Sequence, residues 1–211
     1  MGLLLEQQAS LNKLASAKII VEDQLDDFAT DLKWLASLPH ASAEGIERKQ
    51  KLFDKYKEKA EAILNQEKAH QDKLVHYFVV WAYDLAEVGK LEFSEFLKLI
   101  NQAIGQNQEP NGTPIKPSFK VWKYYKIADF LKANFDAATK SFIAKVDWLS
   151  DLDLEAEEVP AGQLKEIYYY LYFYQKERLE PAEFNLLAEK ALEAGAKVTT
   201  DYKQYKENLS E

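Results

Sequence analysis

Seven-residue spacing of apolar positions marks the start of this chain. Leu4, Leu11, Lys18, Leu25 and Leu32 fall on one heptad position, and Gln7, Leu14, Val21, Phe28 and Leu35 on a second. Eight of these ten residues are apolar, and no Gly or Pro interrupts residues 3–38. The pattern predicts one long helix whose narrow apolar stripe needs a partner helix. Two partners satisfy it. One is a second copy of the chain, which makes Leu4, Leu11, Leu14, Val21, Leu25, Phe28, Leu32 and Leu35 the seam of a homo-oligomer. The other is a helix of the same domain, because heptad and 3.6-residue periods diverge slowly.

Pro39 ends that helix, since the residue before a proline is pushed out of the helical region. Ser42 is the candidate N-cap of a second helix over 43–69, with Ile46, Phe53, Tyr56, Ala60, Ile63 and Leu64 on its apolar side. Together the two form an antiparallel hairpin. A helix dense in buried types follows over 71–88, closed by Gly89, and then an amphipathic helix over 92–104 with Phe93, Phe96, Leu97 and Ile100. The segment Gly105–Pro117 holds two glycines and three prolines and reads as a flexible or functional loop. Helices are expected over 118–133 and near 136–149. The acidic stretch 150–160 reads as a linker or exposed turn.

The last part of the chain repeats the middle. Leu91-Glu92-Phe93-Ser94-Glu95-Phe96 and Leu179-Glu180-Pro181-Ala182-Glu183-Phe184 share Leu-Glu-x-x-Glu-Phe, and an aromatic helix precedes each. The predicted fold is therefore all-α: a long heptad-patterned N-terminal helix and helical hairpin, followed by tetratricopeptide-like helical hairpins. The implied units are 1–69 (oligomerisation), 70–149 (central helical domain), 150–160 (acidic linker) and 161–211 (C-terminal hairpin).

Composition narrows the chemistry. The 211 residues contain only 7 Gly and 6 Pro, too few turn residues for many strands. The absence of Cys excludes disulfides, thiolate metal sites and thiol nucleophiles, and fits a reducing compartment. No apolar run approaches the roughly 20 residues of a membrane helix, so no membrane partner is expected. A net charge of −8 argues against coating nucleic acid through bulk charge, so any such contact must be local.

Two local cationic patches exist. Arg48, Lys51, Lys55 and Lys59 are spaced three, four and four apart on one face of the second helix and form either a row able to track phosphates or a solvated face held by pairs such as Lys51 with Asp54 and Lys55 with Glu58. Lys116, Lys120, Lys123 and Lys126 form a second row, beside Phe119, Trp122, Tyr124 and Tyr125. Residues 116–145 carry seven lysines against two aspartates, 7 − 2 = +5. Basic and aromatic side chains together suit backbone contact with stacking, although a lysine row over an aromatic core reads the same way. Catalytic and metal-ligating patterns do not emerge. His40, His70 and His76 lack ligand spacing, and the acids of 147–158 lack the glycine and terminal glutamate of a calcium loop. No cofactor motif is visible. In the run Tyr168–Tyr174, Tyr170, Phe173 and Tyr174 are expected to lean into the core.

The order of elements over residues 74–131 carries a resemblance. An aromatic helix passes through the Val88-Gly89-Lys90 turn into a second helix, then through a loop with Gly112-Thr113-Pro114 into a basic, aromatic helix. This order resembles the core of the terminase small subunits of cos-packaging tailed phages. The likeness runs from about residue 20 to residue 209 and also takes in Leu25–Leu35, Phe53–Leu64, Trp81–Leu99 and Leu164–Asn208. It implies a homo-oligomer in the host bacterial cytoplasm. That oligomer recognises the cos region of viral double-stranded DNA and delivers it to the terminase large subunit, which holds the ATPase motor. Family members are also described as the endonuclease subunit of cos cleavage. This sequence shows no metal-nuclease constellation, so cutting falls to the large subunit. The alternative from another class is a helical-repeat scaffold that binds protein and no DNA.

Overall fold

The computed structural model describes residues 27–39, 42–66, 70–155 and 159–208. Residues 27–36 are helical (α1). They are followed by α2 (Ala43–Leu64), α3 (Lys73–Glu87), α4 (Phe93–Gly105), α5 (Phe119–Ala133), α6 (Ala161–Gln175), α7 (Pro181–Glu193) and α8 (Thr199–Asn208). A minimal antiparallel hairpin, β1 (Phe135–Asp136) and β2 (Ser141–Phe142), and a 3-10 turn at Asp147–Asp151 separate α5 from α6. The fold is all-α around that small hairpin.

Caps explain where several helices begin. Ser42 accepts a hydrogen bond from the Gly45 amide at 3.0 Å, and Asp72 accepts one from the Leu74 amide at 2.8 Å. Each satisfies an amide that the first turn leaves without a helical partner. Pro181 occupies the first turn of α7, where no N–H is needed. Gly89, at φ +72°, takes the left-handed conformation that ends α3 and admits the turn into α4.

The helices pack mostly in chain order, α2 on α3, α3 on α4, α4 on α5, α5 on α6 and α6 on α7. Phe53 of α2 stacks on Phe78 of α3 with ring centroids 4.3 Å apart. Phe96 of α4 meets Tyr83 of α3 and Trp122 of α5 at 5.4 and 5.8 Å. In the last unit Phe184 of α7 meets Tyr172 of α6 at 4.9 Å and Tyr205 of α8 at 4.6 Å. Glu92 and Glu180 both serve as N-caps, so the repeated motif occupies the same register in α4 and α7, with Phe96 and Phe184 fully buried.

Several expectations require correction. The helix expected over 43–69 stops at Leu64, capped by Asn65. No helix forms over 136–149; the chain there makes the β-hairpin and the 3-10 turn. Asp136 turns the hairpin by accepting from the Ala138 amide at 2.8 Å, and Phe135 and Phe142 close it with rings 5.2 Å apart. The acidic stretch is not wholly exposed, because Leu154 is buried and Leu152 and Val159 pack on the core. Residues 156–158 lie outside the described residues. The C-terminal part holds a third helix, α8, beyond the expected hairpin. The Gly105–Pro117 loop is tethered: buried His76 reaches Asn111 O and Gln108 Oε1, both at 3.0 Å, and the Tyr77 hydroxyl donates to Gly112 O at 2.7 Å.

The heptad seam divides. Leu4, Leu11, Leu14, Val21 and Leu25 lie outside the described residues. Phe28, Leu32 and Leu35 pack against their own chain. Phe28 is buried against Tyr56, Tyr77 and Trp81 at 5.4, 6.1 and 6.2 Å, and Leu32 and Leu35 pack beside it. In α6 the deepest aromatic is Tyr172, with Tyr168, Tyr170 and Tyr174 buried and Phe173 only partly so.

Three tyrosines set an alkaline limit. Burial, joined by the hydrogen bond to Asp31, pushes Tyr56 up to about 12, and burial pushes Tyr172 up to about 12. Tyr83 rises too, through burial and the charge of Glu87. A folded-state value above the unfolded one stabilises the fold fully below the unfolded value of about 10, and that contribution is lost as pH rises toward the folded value. Helix content should therefore hold to pH about 10 and collapse between there and about 12, together with the appearance of phenolate absorbance. If these tyrosines ionised near 10 with the far-UV spectrum intact, their burial would be refuted.

Candidate nucleic-acid interface

The first cationic row lies on α2, and Arg48 and Lys55 of it are engaged in ion pairs. Arg48 donates to Glu44 Oε1 at 2.8 Å, to Ser37 Oγ at 3.0 Å and to Trp34 O, and its guanidinium lies 4.4 Å from the Trp34 ring centroid. Lys55 pairs with Asp31 at 2.6 Å, and that bond holds its ammonium above the usual lysine value. Lys51 and Lys59 are exposed. Lys57, on the neighbouring face, pairs with Glu95 at 3.2 Å and is raised by that bond. Arg48 and Lys55 of the row fasten α2 to the α1 segment, and Lys57 beside it fastens α2 to α4.

Lys49 lies off this row, on the buried face of α2. It is one of six basic residues in 48–59, yet it is 1% exposed and pairs with Asp84 of α3 at 2.7 Å. The reason is its phase. Ile46, Lys49, Phe53, Tyr56 and Ala60 follow the helical period, so Lys49 sits on the core stripe of α2.

The second row is broken in the same way. Lys116 precedes α5 and is exposed, so it does not share the helix face that its spacing predicts. Lys120 is partly buried. Lys123 lies four residues after Phe119 and four before Ile127, on the buried stripe of α5. It is 2% exposed and donates to Asn101 Oδ1 of α4 at 3.2 Å. Its ammonium group therefore faces α4 and not a bound polymer. Lys126 pairs with Asp129 at 3.1 Å and covers the Tyr83 ring at 4.4 Å. Of the aromatics, Phe119, Trp122 and Tyr124 are core and Tyr125 alone is exposed.

A third cationic cluster joins residues far apart in sequence. The β-hairpin and the end of α6 enclose a cleft of about 860 Å³ lined by Lys140, Lys145, Lys176 and Arg178, with Asp147 and Glu177 on its walls. Lys140 and Lys145 lie within the basic window 116–145, but Lys176 and Arg178 do not, and no spacing rule connects the two pairs. Only the packing of the hairpin on α6 joins them.

Searches of family models, curated proteins and solved structures find no match to this chain. Among the described residues no helix is long and apolar enough to cross a membrane.

Proposed function

We propose that this protein is a terminase small subunit, a homo-oligomeric factor that recognises viral double-stranded DNA at a cos region and delivers it to the terminase large subunit in the bacterial host's cytoplasm. The observation that carries the reading is the concentration of positive charge. A chain of net charge −8 places +5 within residues 116–145, and Lys116, Lys132, Lys140 and Lys145 of that window are exposed. The order of an aromatic helix, glycine turn, amphipathic helix, glycine–proline loop and basic helix supports it. Local patches on an acidic body favour site-directed contact over coating. Exposed Lys51, Lys59 and Lys116 and the partly exposed Lys120 are the row members that a phosphate can reach.

The scaffold reading has its own support, because Arg48, Lys55 and Lys126 are already ion-paired and Lys123 is buried. Gel shift with duplex carrying phage genome ends separates the two. Retention of that duplex over unrelated DNA is expected for a small terminase; no retention at low salt leaves the protein-only scaffold. The paired substitution Lys116→Glu and Lys120→Glu should weaken binding uniformly across sequences and lower the salt slope by about two. Unchanged binding and slope would remove the segment from Lys116 to the start of α5 from the DNA path.

A further inference from the structure

We propose that the cleft between the β1–β2 hairpin and the C-terminal end of α6 is a phosphate-binding site, in which Lys140, Lys145, Lys176 and Arg178 hold phosphoryl oxygens. That the phosphate belongs to a DNA backbone rests on the function proposed above; the site itself does not.

Charge supplies the first argument. Four cations line the cleft against two carboxylates, 4 − 2 = +2. A third carboxylate, Asp201 of α8, is buried beneath it and receives both Lys140 and Lys176, the latter at 2.6 Å. One carboxylate neutralises one of these ammonium groups, so a surplus remains even when Asp201 is counted. The two lysines crowd each other: burial first, and then the charge of Lys140, lowers Lys176 from the usual lysine value. A second anion at this point relieves that repulsion.

Geometry supplies the second. Lys140 has φ +54°, a left-handed backbone that a side chain with a Cβ adopts at a cost, and it brings the hairpin turn to Asp201. The Lys140 and Lys176 side chains remain 49% and 31% exposed, so neither ammonium is sealed by Asp201. Arg178 stacks on Tyr174 at 4.0 Å and donates one N–H to Tyr174 O, which fixes the guanidinium plane and leaves further donors. Lys145 is exposed on the same cleft. The hydroxyls of Thr139 and Ser141 are 2.7 Å apart, so one donates to the other and the pair adds one neutral donor at the lip. Of the two wall carboxylates, Asp147 accepts from the Tyr174 hydroxyl at 2.9 Å. A planar guanidinium, ammonium groups and a hydroxyl donor lining one cleft match the several oxygens of a phosphate better than a single carboxylate.

The test uses the full chain, with pyrophosphate, random-sequence duplex DNA and polyglutamate as probes. NMR signals of the hairpin and of the Lys140 and Lys176 ammonium groups report occupancy. Pyrophosphate is expected to shift those signals, and Lys145→Glu, which alters an exposed side chain, should weaken the effect about fivefold or more. Duplex DNA that competes for the same signals identifies the phosphate as nucleic acid. If pyrophosphate binds and duplex does not displace it, the site stands and the DNA reading fails here. Silence of the hairpin signals with both phosphate probes, indifference to Lys145→Glu, or equal displacement by polyglutamate would overturn the proposal.

Discussion

Lys49→Ala is expected to destabilise the protein by about 3–5 kcal/mol, more than any surface substitution, because it leaves Asp84 buried without its counter-ion. The two groups are 2.7 Å apart, at 1% and 7% exposure. Removing both charges from water costs free energy that their attraction only partly returns, so the pair itself adds little net stability. Deleting one partner is different, since the remaining carboxylate keeps the desolvation and loses the attraction. Lys49→Met combined with Asp84→Leu should therefore recover most of the loss, and urea unfolding of the two singles and the double measures the coupling. A loss below about 1 kcal/mol for Lys49→Ala would mean that water reaches Asp84 freely. The pair joins α2 to α3, so the same melts report whether it fixes how those helices meet.

Phe96→Ala should cost about 3–5 kcal/mol, the range for truncating a buried aromatic. Phe96 is fully buried, and its ring lies 5.4 Å from Tyr83, 5.3 Å from Phe93 and 5.8 Å from Trp122. The cavity would open where α3, α4 and α5 meet, and edge-to-face contacts would vanish with the lost area. Phe96→Leu, which keeps most of the volume, should lose much less. Guanidinium melts should show a lower midpoint with an unchanged slope, the mark of lost stability in an otherwise similar native state. The repeat supplies an internal comparison: Phe184→Ala removes the corresponding ring from Tyr172 and Tyr205 and should fall in the same range. A small effect at both positions would show that the shared motif is not a packing unit.

Helix positions were largely legible because their signals are local. Ser42 and Gly89 act through their own backbone neighbours and perform the expected cap and turn tasks, and Pro181 fits the first turn of α7 in the same local way. The hairpin at 135–142 was not legible, because residues 136–149 carry no apolar period strong enough to distinguish helix from strand. What holds the hairpin is Phe135 and Phe142 against Tyr170, at 5.3 and 6.3 Å, a contact from α6. The candidate rows show a subtler failure. Same-face spacing was counted on charge alone, whereas the apolar period through Phe119 and Ile127 already placed Lys123 on the core stripe of α5, as that through Ile46 and Phe53 places Lys49 on the stripe of α2. That signal was present in the chain. No comparable signal links Lys140 and Lys145 to Lys176 and Arg178.

The amino-acid order alone determined that this protein is helical, where most of its helices begin, and that Leu-Glu-x-x-Glu-Phe recurs in matching register, since these follow from backbone preference and periodicity over a few residues. Tertiary structure decided which cations reach solvent, which apolar residues of the first helix face their own subunit, and where the cationic cleft lies. Those outcomes depend on which faces meet across long stretches of chain, and a lysine on an apolar stripe becomes a buried ion-pair partner only when another helix brings it an aspartate.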